Sequence, residues 1–260
     1  MHEILEDIVR RKRTEVAEAK ARMPLRSLAV TVQSEPVPVP FFDRLAGALP
    51  VALIAEIKVA SPTHPALGSL GDAVGRARIY TQARANAISF ITENHYFKSD
   101  PKYLRNLKMV TDLPILQKDF VIDSYQVYES RAAGADAVLL IARLVDGRTL
   151  RELVNCAVGL GLEPVVEIND EADLAKAVAT DARIIAVNAR DLRTFKVDVV
   201  GACRLLAVVP GRYLRLGFSG ITSVKEVHEY RTAGARGVLV GTALMQAPDI
   251  AGFIRKLRVA

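Results

Sequence analysis

Eight times after residue 50, a short apolar segment is followed by a stretch with helical periodicity. The apolar segments fall near 51–57, 87–92, 113–117, 136–141, 164–168, 183–188, 213–217 and 236–240. Helix-period stretches follow at about 72–85, 101–110, 123–132, 147–160, 171–179, 199–208, 222–233 and 248–257. Short continuous apolar runs bounded by turn residues read as strands buried on both faces, as in parallel sheets. Strands alternating with helices imply right-handed βαβ units, and eight such units close into an α/β, (β/α)8 TIM barrel. A doubly wound open sheet would carry a Gly-rich first turn of the GxGxxG type, and none is present. RAAGADAVLL (131–140) and RTAGARGVLV (231–240) share a helix end, a Gly turn and a buried strand, as a quasi-repetitive barrel would.

Ahead of the repeat, Ile4, Leu5, Ile8, Val9, Val16 and Ala19 recur at helical spacing, predicting one amphipathic helix over residues 1 to about 30. Pro36 to Pro40 then lead to Phe41-Phe42 and a short helix covering the bottom or side of the core. Residues 1–48 are therefore read as an N-terminal helical extension and 49–260 as the barrel of a single domain. With 260 residues the chain has the length of such a barrel.

The formal charge of +6 suits an anionic small substrate, but it is spread along helices. The dense run Arg10 to Arg13 has no interleaved aromatics, which argues against nucleic-acid binding. Cys156 and Cys203 lie in predicted helices among apolar neighbours and are expected as buried thiols. The four histidines show no ligand spacing, and no metal is expected. No apolar run reaches membrane-spanning length, and Glu3, Glu6 and Asp7 do not suit a targeting peptide. The expected setting is the cytoplasm, and the expected assembly is a monomer or weak dimer.

In such barrels the chemistry sits at the C-terminal strand ends. There the sequence places Glu56, Lys58 and Ser61; Thr92 with the loop aromatics Tyr96 and Phe97; Lys118 and Phe120; Glu167; Asn188 and Arg190; Phe218, Ser219 and Gly220; and Gly241 with Thr242. The fourth strand ends blandly at Ala142-Arg143. Two lysines, two glutamates and an asparagine at one mouth can hold each other's pKa values away from their usual ranges and serve as acid and base. Lys118 and Glu167, two strands apart, can act on opposite sides of one small substrate. The glycine turns after the last two strands stand where barrels hold phosphate.

AEIKVASP, FITENHYF, PILQKDFVID, EPVVEIND, VNARDLRTF, SGI and LVGTALM occur in that order along the chain. Together they resemble the indole-3-glycerol phosphate synthase family over essentially the whole length. The resemblance implies a cofactor-free lyase that closes the indole ring of a carboxyphenylamino-deoxyribulose phosphate with loss of carbon dioxide and water. It implies Lys118 as general acid, Glu167 as base for the dehydration, and Lys58 as the group steering the substrate carboxylate. Glu56 and Asn188 resemble orienting groups; Ser61, Gly220, Gly241 and Thr242 resemble the phosphate site, and Phe97 and Phe120 the aromatic walls. Three positions depart from that pattern. Phe218 replaces a glutamate, Thr63-His64-Pro65 replaces a basic, glycine-containing turn, and Phe90 replaces a smaller aliphatic residue. All three are expected around the mouth, where they favour a flat apolar ligand. An alternative is a repurposed barrel that abstracts a proton from an aromatic substrate with a glutamate base, in the manner of a Kemp eliminase.

Overall fold

Each of the eight apolar segments forms a strand in the computed structural model, which describes residues 2–260. They are β1 (Ala52–Ile57), β2 (Ala87–Ile91), β3 (Ile115–Lys118), β4 (Ala137–Ile141), β5 (Glu163–Ile168), β6 (Ile184–Asn188), β7 (Leu214–Phe218) and β8 (Gly237–Val240). All neighbours pair in parallel, and β8 returns to β1 to close the barrel in sequence order. The strands are buried on both faces, which is why they read as apolar runs and not as alternating ones.

The connecting helices are α4 (Ala73–Gln82), α5 (Tyr103–Lys108), α6 (Ser124–Ala132), α7 (Gly147–Gly159), α8 (Glu171–Val178), α9 (Val199–Val208), α10 (Val224–Thr232) and α12 (Ile250–Arg258). Most begin at a short polar residue whose side chain accepts a backbone N–H that the first turn leaves free. Asp123, Asp146, Asp170, Asp198, Ser223 and Asp249 play this part. The matching Gly turns at 134 and 234 have φ of +91° and +98°, a conformation that explains the echo between those two segments. A short helix, α11 (Thr242–Gln246), follows β8 directly and was not legible as a separate element.

The N-terminal part departs from the sequence expectation. Two helices, α1 (His2–Arg22) and α2 (Leu25–Gln33), replace the single predicted one, whose first residue, Met1, lies outside the described residues. Pro24 separates them, because proline supplies no N–H and disfavours a helical residue before it. The predicted short helix is α3 (Phe41–Ala46), and its buried Phe41 and Leu45 join Ala52, Ile54 and Ala87 in closing the bottom of the barrel.

Two apolar layers result. Outward residues such as Leu53, Ile57, Ile88 and Val166 pack under the helices, while Ile54, Leu116, Leu139, Val165 and Leu216 fill the barrel. Phe90 belongs to the outer layer, so it does not border the mouth as expected; alternation along β2 turns it outward. Cys156 and Cys203 are free and half-buried, packed at the margin of the outer apolar layer and so less enclosed than expected. No helix among the described residues is long and apolar enough to cross a membrane.

Gly217 shows how tightly β7 is held. A Cβ there would overlap the ring of the fully buried Tyr230, whose hydroxyl donates to the Phe218 and Ser219 carbonyls at 3.1 Å each. Gly217→Ala should destabilise the fold by about 2 kcal/mol, roughly 4–8 °C in a calorimetric Tm.

Candidate active site

Register and barrel geometry fix which inward residues share a level. At constant height each strand advances by about one residue on its neighbour in a barrel of this kind. Glu56 pairs through Ser89 with Leu116, so Lys118 stands at its level. Continuing through Ala137 to Glu163 brings Glu167 to the same level. Glu167 pairs through Ala186 with Leu216, which adds Phe218. The top inward layer of the odd strands is therefore Glu56, Lys118, Glu167 and Phe218. Below it the interior is filled mainly by apolar side chains, with the buried Ser89 hydroxyl among them. Glu56 faces Glu167 across the axis, and Lys118 faces Phe218.

The charges in this layer are buried and mutually dependent. Glu56 is 3 % exposed and lies 3.4 Å from the Lys58 ammonium and 3.7 Å from that of Lys118. Lys58 also donates to the Thr242 hydroxyl at 3.0 Å. Burial pushes the Lys58 pKa down, Glu56 resists, and the Lys118 charge adds to the fall. Glu167 is 1 % exposed. Burial raises its pKa, and Lys118, the Asn188 amide and Arg143 oppose that rise. Gly241 is required beside this layer, since a Cβ there would overlap the Glu56 carboxylate.

A cavity of about 840 Å³ opens above the layer. Most of the sequence-predicted residues line it: Glu56, Lys58, Ser61, Phe97, Lys118, Asn188, Arg190, Phe218, Ser219, Gly220, Gly241 and Thr242. Glu167 and Phe120 stand behind the lining, with Phe120 against Phe97 at a ring-centroid distance of 6.2 Å. Phe218 points inward and is 1 % exposed, so the large ring does occupy the interior. Ser219 and Gly220, both at positive φ, turn the chain sharply after β7, and a Cβ on Gly220 would meet Val199 and Val197. Across the cavity, Ser61 and His64 exchange backbone hydrogen bonds, and the Thr63 hydroxyl lies 3.0 Å from the His64 Nδ1. Of the departing residues, Thr63, His64 and Phe218 thus face the cavity.

Several residues that support the site carried no usable signal in the sequence. Glu93, 1 % exposed, accepts from the backbone N–H groups of His95, Tyr96 and Phe97 and so sets the loop bearing Phe97. Tyr96 turns away from the cavity and donates to Asp7 of α1 at 2.8 Å. Lys12, inside the dense basic run Arg10 to Arg13, turns inward to pair with Asp119 at 3.0 Å. Asp119 also accepts from Thr92 and from the Phe120 N–H, and the Thr92 N–H donates to the Lys118 carbonyl. The fourth strand does not end blandly either: Arg143 is an ion-pair hub between the β4, β5 and β6 ends.

A buried layer of lysines and glutamates under an open cavity at the mouth of a (β/α)8 barrel defines the class of barrel enzymes that place acid and base groups at their strand ends. The model for indole-3-glycerol phosphate synthase matches residues 5–257. An indole-3-glycerol phosphate synthase from Rhodopirellula baltica is 38% identical over 247 residues, covering 95% of each chain. One from Roseiflexus castenholzii is 39% identical over 265 residues, covering 99% of this chain and 98% of its own. This chain belongs to the indole-3-glycerol phosphate synthase family. Among solved structures, 3-hexulose-6-phosphate synthase from Salmonella typhimurium superposes with a TM-score of 0.65 over 80% of this chain and 97% of its own; at 18% identity it shares the fold. The repurposed-barrel alternative finds no support among these relatives.

The Lys12–Asp119 pair yields a stability test. Both side chains are 8% exposed. Lys12→Met leaves a buried carboxylate without its cation, and urea unfolding should show a loss of about 3 kcal/mol.

Proposed function

We propose that this protein closes the indole ring of carboxyphenylamino-deoxyribulose 5-phosphate, releasing carbon dioxide and water, by lysine and glutamate acid–base catalysis. The observation that carries this reading is the charged layer of Glu56, Lys118 and Glu167 beneath a cavity of about 840 Å³, in a chain of this family. The phosphate sits against Ser61, Ser219, Gly220, Gly241 and Thr242, where backbone N–H groups and hydroxyls meet an anion. Lys58 steers the substrate carboxylate, with Arg190 on the same side of the cavity. The ring carbon bearing that carboxylate attacks the ketone carbon, and Lys118 delivers a proton to the ketone oxygen. Carbon dioxide leaves and restores the aromatic ring. Glu167 then takes the proton lost as the hydroxyl departs, and the Lys58 ammonium gives that hydroxyl the proton with which it leaves as water. Glu56 orients both lysines, Asn188 the substrate hydroxyls, and Phe97 with Phe120 walls the aryl group. The protein acts without a cofactor, as a cytoplasmic enzyme and a monomer or weak dimer.

Phe218 lowers turnover in this reading, because its ring stands where the family pattern has a carboxylate against the substrate. Phe218→Glu should raise kcat about tenfold or more, followed by indole fluorescence at saturating substrate. A folded variant with unchanged kcat would place the limitation elsewhere.

Lys118→Ala should lower kcat by about two to four orders of magnitude while leaving the circular dichroism spectrum unchanged. Ring closure at an undiminished rate in that variant would remove Lys118 from the role of acid.

A further inference from the structure

We infer that Arg143 is a positioning residue for Glu167, tying the β4, β5 and β6 ends around that carboxylate and placing a permanent cation beside it. The inference rests on the proposed role of Glu167 as base. Ile141, the last residue of β4, pairs with Glu167, so Arg143 stands two residues beyond it at the adjoining strand end. Its side chain is only 13% exposed. Nε reaches Asp173 at 3.1 Å and one terminal nitrogen reaches Asp170 at 3.0 Å. The other, Nη1, is buried without a hydrogen-bond partner, 3.9 Å from Asp191 on the loop after β6.

The network continues from there to the site. Asp173 accepts from the Asn169 N–H at 3.1 Å. The Asn169 amide donates to the carbonyls of Asn188 and Arg190 at 2.7 and 3.1 Å. One guanidinium thus fixes the segments on both sides of Glu167. A planar, permanently charged fork is needed to reach three carboxylates from one point.

The charge matters as much as the geometry. Groups bearing on Glu167 are Lys118 from β3, Glu56 from β1, the Asn188 amide from β6 and Arg143 after β4, while β7 offers only Phe218. A general base must be ionised, yet burial favours the neutral acid. Removing Arg143 subtracts a cation and takes from Asp170 its ion pair and from the buried Asp173 its nearer cation, leaving Lys176 at 3.8 Å, while Asp191 keeps Arg193. Both changes act in the same direction and raise the pKa of Glu167.

Two readouts test this on the full-length protein: the acid limb of kcat/KM for indole formation, and a carbon-13 NMR titration of the Glu167 carboxyl, assigned with Glu167→Gln. Arg143→Met should move both upward by about one pH unit, whereas Arg143→Lys should hold both within about 0.3 unit and lose less activity. A folded Arg143→Met protein with both unmoved overturns the inference, as does an equal rise in Arg143→Lys. If Arg143→Met does not fold, Asp170→Asn decides. It keeps a good N-cap for α8 and frees Arg143 from one carboxylate, so the titration should move down by about 0.2 unit; no movement, or a rise, overturns the inference. The NMR titration needs no turnover. Absence of indole from the unaltered protein would count against the proposed reaction, while the titration alone judges Arg143.

Discussion

The Glu56 carboxylate between two ammonium groups is the interaction on which the mouth of this barrel depends. A barrel interior is a poor solvent for charge, and burying one unpaired ion costs several kcal/mol. Here Glu56 lies within 3.4 Å of Lys58 and 3.7 Å of Lys118, so neither lysine is buried alone. Its backbone carbonyl accepts from the buried Tyr80 hydroxyl at 3.2 Å, which ties the strand to the helix outside. The bare Cα of Gly241 makes room for the carboxylate on the other side. Apolar layers below carry the fold, and they allow one charged layer to exist above them.

The N-terminal helices are built into this arrangement and are not merely appended. Lys12 reaches Asp119, the residue after Lys118, and Asp7 receives the Tyr96 hydroxyl from the loop that carries Phe97. Each contact fixes the backbone next to a residue that faces or backs the cavity. Arg143 does the same on the opposite side, through Asp173 and Asn169. A charged site needs neighbours that cannot relax around it, and polar clamps with defined geometry supply that stiffness.

What the sequence disclosed follows from the same physics. Apolar runs bounded by turns identify barrel strands, and period-two alternation assigns Glu56, Lys118 and Glu167 to one interior. Those features are local, so they could be read one segment at a time. Lys12, Glu93 and Arg143 could not, because each acts on a partner dozens of residues away or on the backbone of a loop whose shape is not yet known. A lysine within RRKR resembles every other surface lysine until a neighbouring strand supplies Asp119. The outward turn of Phe90 was readable from alternation along β2, since it lies one residue from the inward Ile91. Only its place in a family motif suggested the mouth.

Phe218 changes the electrostatics of the site as well as its shape. With phenylalanine there, Glu56 and Glu167 face Lys58 and Lys118, two carboxylates against two ammonium groups. A carboxylate in its place would stand across the axis from Lys118 and tip the balance negative. It would resist the fall in the Lys58 pKa that burial and the Lys118 charge produce, and it would add to the rise that burial imposes on Glu167. On the proposed reaction the phenyl ring removes a substrate contact, while it leaves Lys58 closer to neutrality and Glu167 easier to ionise. These effects oppose each other in catalysis: a missing transition-state contact lowers kcat, and a more readily ionised base extends activity to lower pH.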